Sequence, residues 1–571
     1  PLPAMDGPGI RILHSAASVL LHLVLCSGAK DAPTSAAFVI QAAPLIRPAA
    51  ARPKTGLYAE ANGPGVAIAE AQADPVGSDS EGDAATMPSL VESTTKVPVS
   101  IEQDHDGGAE DNSSVSHLQK TIRDLSVPAL LGNLVDPALS TIDNIYVGRG
   151  LGATSLAALG PCISIFHVSF GIFRALMQST TSLVARALGA RDNDRAGELV
   201  VQSSFLAVGM GVIIAAALQL LCGPILGCMG VGAVGVDPLA LDARAYLKAR
   251  AWAAPSVVFT QVAEGAFRGF GDTKTPLFAS LLAAVVNLIL DPIMIFSCQW
   301  GTAGAAAATA VAQYAAALTY AVLFYRRRES MRLKVPSLQG LSSAVTTLRR
   351  YLSASSAMLV RSFSLLVCWA TITASATKMG VVHVAAHNAI LQLFLIFAMG
   401  GEAIAVSTQV LIGRYSGAKQ PKQIGQVLKQ CLKIAAACSC LLSGLLFALR
   451  PSIPSWFGSD AAVRGRLLSL IPVVALLEPL TWLVLVFEGS LVGMGRFKWL
   501  GGSMLLATLA SAGIIRHIAR LPGAGIRLLW IGGVWSLFLQ RLVYAGIGLY
   551  RSHRQRQTQA AHLSNNKLKT V

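Results

Sequence analysis

Asp143, Asn287, Asp291 and Thr309 stand inside runs that are otherwise apolar. Asn287 and Asp291 are spaced i,i+4, which puts them on one face of a helix. Pro292 follows at once and leaves the Leu288 carbonyl without its helical donor. A carboxylate at mid-membrane costs roughly 2.5–3.5 kcal/mol, so it needs a use or a partner. Two acids brought together in a dry lobe repel and lose hydration. Such a pair titrates as one unit and could carry a proton at physiological pH. The same oxygens could ligate a sodium ion, or Asp143 and Asp291 could simply cap or pair locally.

Five more acids lie in or beside apolar runs: Asp136, Glu264, Glu402, Glu478 and Glu488. Asp136-Pro137 is either cavity-lining or kink-associated. Glu264 and Glu488 occupy equivalent ends of two spans beside Gly-rich loops, which suggests a helix-end or gating role. Glu478 precedes Pro479, and Glu402 follows Gly400-Gly401, so both sit at helix irregularities and are candidates for a cavity wall. Gln178 and Arg361 join this cavity and gating set. Arg361 either balances a buried acid or contacts an anionic substrate. Phe166, Phe170, Phe173, Phe363, Trp369 and Phe394 suit a flat apolar solute, and packing explains them equally well.

Other signals are discounted. His383 and His387 are spaced i,i+4 as metal ligands can be, but they read as a structural pair. Gly230 to Gly235 matches GxGxxG by count, yet follows an apolar span rather than a strand. There is no Walker A, HExxH or GxSxG sequence, no clustered nucleophile and base, and no CxxC among the nine cysteines. An enzyme is not indicated, and no cofactor or metal is expected beyond a coupling proton or sodium ion.

The elements that must position these groups are membrane helices. Hydrophobic residues make up 53% of the chain and charged ones 13%, about half the charge of a soluble domain. Twelve apolar segments are expected, near 125–147, 154–180, 198–222, 243–266, 276–297, 301–325, 351–377, 383–412, 424–448, 465–493, 498–520 and 527–550. The net charge of +16 comes from bases clustered between these segments, as in membrane loops. No nucleic-acid motif accompanies them. Bases concentrate after the even-numbered spans and in the tail, so both termini should face the cytosol-equivalent side.

The chain also repeats itself. Glu264-Gly265-Ala266-Phe267-Arg268-Gly269-Phe270-Gly271 is echoed by Glu488-Gly489-Ser490-Leu491-Val492-Gly493-Met494-Gly495. Arg186-Ala187-Leu188-Gly189-Ala190-Arg191 is echoed by Arg414-Tyr415-Ser416-Gly417-Ala418-Lys419. Duplicated hydrophobic halves that rock about a shared site are a way to build a transporter. The expected fold is an all-α membrane protein, twelve transmembrane helices in two pseudo-symmetric six-helix lobes. The lobes are placed at 119–325 and 351–550, with a basic linker at 326–350 and a basic tail at 551–571.

The first 118 residues differ. Arg11, the apolar run Ala16–Cys26 and Ser27-Gly28-Ala29 have the layout of a signal peptide. Phe38 and an Ala/Pro stretch with Arg47, Arg52 and Lys54 follow. This order resembles the bipartite plastid presequence of algae with secondary plastids, so 1–54 is read as a targeting segment. A secretory signal or an unstructured N-terminus would look similar. From Thr55 to Asn112 twelve acids face one base, Lys96. That composition is typical of disorder, assigned to 55–118.

Three motifs carry a family resemblance: Thr141-Ile142-Asp143-Asn144-Ile145-Tyr146-Val147-Gly148 with Leu156-Ala157-Ala158-Leu159-Gly160, Phe267 to Pro276, and Asn287-Leu288-Ile289-Leu290-Asp291-Pro292. Together they resemble the multidrug and toxic compound extrusion (MATE) transporters over about 120–550. The resemblance implies a monomeric secondary antiporter that exchanges protons or sodium for a small organic solute across a lipid bilayer. It assigns Asp143, Asn287, Asp291 and Thr309 to the amino-lobe cation site. Where the NorM-like branch places an acid on span 7, this chain has Arg361, nearer the DinF-like branch with its plant plastid members. The plastid envelope is the expected membrane, another endomembrane or the plasma membrane the alternative. A lipid or polyprenyl-linked flippase is the competing function, partly suited by Arg174 and Arg361.

Overall fold

A computed structural model describes residues 112–171, 173–229, 231, 238–334, 341–456 and 460–569. The targeting segment expected at 1–54 and the acidic segment up to 111 lie outside the described residues. Residues 112–118, expected to be disordered, are instead the start of a helix.

The amino lobe runs α1 (Asn112–Gly150), α2 (Ala153–Gly171), α3 (Arg174–Gly189), α4 (Asn193–Leu220), α5 (Cys222–Cys228), α6 (Pro238–Ala251), α7 (Ala254–Gly269), α8 (Lys274–Pro292) and α9 (Gly301–Arg326). The carboxyl lobe runs α10 (Leu341–Lys378), α11 (Val381–Gly417), α12 (Pro421–Ala448), α13 (Ile453–Trp456), α14 (Ala461–Gly493), α15 (Phe497–Ile518), α16 (Ile526–Leu529) and α17 (Ser536–Lys569). Eleven helices among the described residues are long and apolar enough to cross a membrane. α6 and α7 together supply the twelfth span, in pieces of 14 and 16 residues. Pro255 causes that break, because it has no N–H for the Ala251 carbonyl. Large apolar side chains such as Leu441 (75% exposed) and Ile213 (69%) cover the outer surface, as suits a lipid solvent.

Two expected boundaries move. α10 begins at Leu341, so 341–350 of the basic linker is helical. α17 continues to Lys569, so most of the basic tail extends the last span. Neither stretch holds a proline or glycine to stop the helix.

The two lobes repeat one packing plan. The first span lies on the fifth (α1 on α8; α10 on α15), and the second on the fourth (α3 on α7; α11 on α14). The repeated glycines explain the second pairing. A Cβ on Gly489 or Gly493 would sit 2.7 Å from the Ala405 or Gln409 carbonyl, and Gly265 and Gly269 meet α3 equally closely. Each Gly-xxx-Gly stripe thus lets two helix backbones touch.

The lobes meet at one end. α3 packs on α10, α11 and α14, and α1 on α11. A Cβ on Gly189 would strike the Arg414 carbonyl, and one on Gly417 would strike the Arg186 carbonyl. The second repeated motif is therefore a reciprocal contact between spans 2 and 8. Arg414 also donates across the lobes to the Phe270 carbonyl at the end of α7. Its guanidinium lies against Gly271, and Arg186 lies against the matching Gly495. Both glycines have left-handed backbones, φ 83° and 75°, and a side chain at either would collide with the arginine. The bonds Ser126–Ser407 (2.6 Å), Ser182–Val492 O (2.5 Å) and Gln409–Gln178 O (2.7 Å) belong to the same end.

Gly189→Leu or Gly417→Leu should force the spans apart and cost about 1–3 kcal/mol, read as a lower thermal unfolding midpoint in detergent. Gly209→Leu, on an open helix face, should leave the midpoint unchanged.

Candidate functional site

The amino lobe brings together all four residues expected to bind the cation. α1 carries Asp143, α8 carries Asn287 and Asp291, and α9 carries Thr309. Asn287 Nδ2 donates to Asp291 Oδ1 at 3.1 Å and lies 3.5 Å from Thr309 Oγ1. The Thr309 hydroxyl donates to the Ala305 carbonyl at 2.9 Å. The carboxyls of Asp143 and Asp291 are within hydrogen-bonding reach of each other, a contact that needs one proton between them. Asn287 and Asp291 are wholly buried. One oxygen each of Asp143, Asn287 and Asp291 is buried without a partner, as is the Tyr146 hydroxyl. Unpaired oxygens gathered in a dry place are costly unless a proton or cation completes them. Below Asp291 the helix turns into a π-helical segment, Ile293–Ser297, an irregularity often found at functional sites.

Tyr146, one turn from Asp143, was not singled out by sequence reasoning; its i+3 spacing was the available signal. Arg250, the base within electrostatic reach of both aspartates, was also missed, although it stands inside span 4.

The remaining candidates divide into a cleft group and a carboxyl-lobe group. Asp136 is exposed and within electrostatic reach of Arg174, Arg250 and His167. Arg174 pairs across the lobes with Glu402 at 3.5 Å. Glu264 pairs with Arg268 one turn along its own helix. Gln178 accepts through its backbone from Gln409 and through its side chain from Arg361 at 3.5 Å.

In the carboxyl lobe Glu488 is buried between two guanidiniums. Arg541 donates from Nε at 2.9 Å and from Nη2 at 3.0 Å, and Arg361 pairs with the same carboxylate. Arg361 therefore balances a buried acid, one of its two expected roles. Glu264 and Glu488, equivalent in the repeat, have different surroundings. Arg541 is another group sequence reasoning missed, a base in the middle of span 12. Glu478 is wholly buried and both carboxyl oxygens lack a hydrogen-bond partner. Pro479 beside it frees the Ala475 carbonyl, which Ser443 of α12 supplies with a hydrogen bond.

His387 is held by Thr373 at 3.0 Å and Trp530 at 3.3 Å, a packing role. Phe166 and Phe170 stack on each other at 5.2 Å, and Trp369 and Phe394 pack on Trp530. These rings fill lobe interiors rather than face a solute.

Two halves of the chain match one family model. MatE matches at 128–293 and again at 357–515, one match per lobe. The chain belongs to the MatE family. Protein DETOXIFICATION 44, chloroplastic, of Arabidopsis thaliana is 30% identical over 460 residues, spanning 79% of this chain and 85% of the relative. DNA damage-inducible protein F of Escherichia coli (strain K12) is 26% identical and spans 76% and 92%. A MATE transporter solved in a bent conformation has a similar fold, with TM-score 0.70, 24% identity, and coverage of 78% of this chain and 99% of that one. The protein is thus a multi-pass membrane transporter of the MATE efflux family.

Within this MATE transporter, removing Glu488 strands two buried guanidiniums. Glu488→Ala should cost about 3–5 kcal/mol in equilibrium unfolding. Glu478→Gln breaks no ion pair, and the unfolding free energy should hold or rise.

Proposed function

We propose that the protein is a cation-coupled antiporter that exports a small organic solute by alternating access. The meeting of Asp143 with Asp291, beside Asn287 and Thr309, carries this reading. The site offers carboxylate, amide and hydroxyl oxygens, donors suited to a proton or a sodium ion and not to a soft metal. α1 supports the coupling. Its first half is tied to the other lobe through Ser126 and Ser407, and its second half carries Asp143 against α8. A change of charge at Asp143 would thus bear on a helix that both lobes share.

The solute would pass through the cleft bordered by Asp136, Arg174 and Glu402. Its mixed charges suit a zwitterion or a weak organic acid better than a bare cation. The flippase alternative is disfavoured, because Arg361 is already matched by Glu488 and Arg174 by Glu402. A monomer in the plastid envelope is the proposed setting. It is supported by relatives named chloroplastic and by the presequence-like opening of the chain.

In proteoliposomes with imposed pH or sodium gradients, Asp143→Asn and Asp291→Asn should each reduce ion-driven solute flux to background while the protein stays folded. Thr309→Ala removes one hydroxyl, worth about 1 kcal/mol, and should lower flux about fivefold. Full flux in both aspartate variants would refute the mechanism, and lipid scrambling without any gradient would favour the flippase.

A further inference from the structure

The lobe contact at the basic end borders an open cavity of about 750 Å³. Arg186 and Arg195 line it from the amino lobe, and Arg350, Lys419, Arg496 and Lys498 from the carboxyl lobe. The acid on its wall, Asp192, spends its carboxylate on the Arg195 backbone N–H at the start of α4. Among the described residues none of the six bases forms an ion pair. The side chain of Arg186 reaches over Gly495 into the other lobe, and its buried Nε has no hydrogen-bond partner. Its charged neighbours, Arg195 and Arg496, are of like sign. The positive-inside tendency puts bases on this face. It does not gather six of them around one cavity or leave a buried arginine nitrogen there without an acceptor.

We propose that this cavity is a binding site for a phosphate-class anion that bridges the two lobes. Four of the bases are arginines, whose planar forks match phosphate oxygens in pairs. A multivalent oxyanion would supply the Arg186 guanidinium with its missing acceptor and relieve the repulsion across the interface. Because its partners come from both lobes, the bound anion holds them together at the basic end and favours the conformation described above. The volume admits more than bare phosphate, so the group is carried either by a phosphorylated soluble metabolite or by an anionic lipid headgroup at the membrane surface.

The test uses the full-length transporter in nanodiscs at constant ionic strength. Inorganic pyrophosphate in neutral-lipid discs should raise the unfolding midpoint saturably, where chloride does not. Phosphatidylglycerol discs should raise it without pyrophosphate if the headgroup is the natural source. Arg186→Gln should weaken the apparent pyrophosphate affinity about tenfold, the effect of losing one charge-assisted hydrogen bond. Should Arg186→Gln fail to fold, Arg350→Gln, on the exposed rim, serves in its place. Hydrogen exchange should slow in both 186–196 and 414–420 on adding pyrophosphate. No saturable shift from either source, an equal shift in the variants, or protection confined to one lobe would overturn the proposal.

Discussion

Everything in this molecule hangs on how two helix ends approach each other. Spans 2 and 8 touch backbone to backbone at Gly189 and Gly417, and each sends an arginine toward a left-handed glycine of the opposite lobe. No larger residue satisfies either condition. Arg414 places a positive charge where α7 ends and its carbonyls run out of partners, the favourable end of a helix for a cation. The same motif on both sides makes the contact self-consistent, because each lobe supplies both the arm and the seat. Most of the inter-lobe bonds cluster at this end, and the Arg174–Glu402 pair is set apart from them at the other end of α3.

The duplicated frame carries unequal chemistry. The amino lobe holds a pair of acids with unpaired oxygens and few cations nearby, an arrangement that invites a positive ion. The carboxyl lobe instead holds, on its fourth span, one acid already neutralised between two arginines. Buried ion pairs contribute little net stability, and the Glu488 cluster is better understood as fixing how spans 7, 10 and 12 assemble. Glu478 stands apart, a wholly buried acid that forms no ion pair among the described residues.

Much of this was legible in the residues. Asn287 and Asp291 announced a shared face by spacing, and Pro292 announced the helix irregularity below them. Apolar run lengths placed most spans to within a few residues, but the helices run on past them at the start of span 1, the end of span 2, 341–350 and beyond residue 551. The repeats declared two lobes, but not why those residues recur. Gly265, Gly269 and Gly271 look alike in sequence. Two of them serve helix packing and the third serves a positive φ against an arginine. Arg361 was ambiguous because charge balance depends on Glu488, 127 positions further along the chain, and on Arg541, 53 positions beyond Glu488. The aromatic residues were left open between packing and a solute wall, since a ring packed inside a lobe and a ring facing a solute have the same local signature.

Short-range rules acted alone on the sequence: helical periodicity, the cost of charge in lipid, and the missing donor of proline decide where spans run and which polar groups are out of place. They determined that the chain is a two-lobed membrane transporter with acids on its first and fifth spans. Partnership was decided only in three dimensions. Which acid meets another acid, which meets arginine, and which meets nothing depends on helices that fold together from distant parts of the chain, and the energy of a charge in a low-dielectric interior is set by those neighbours.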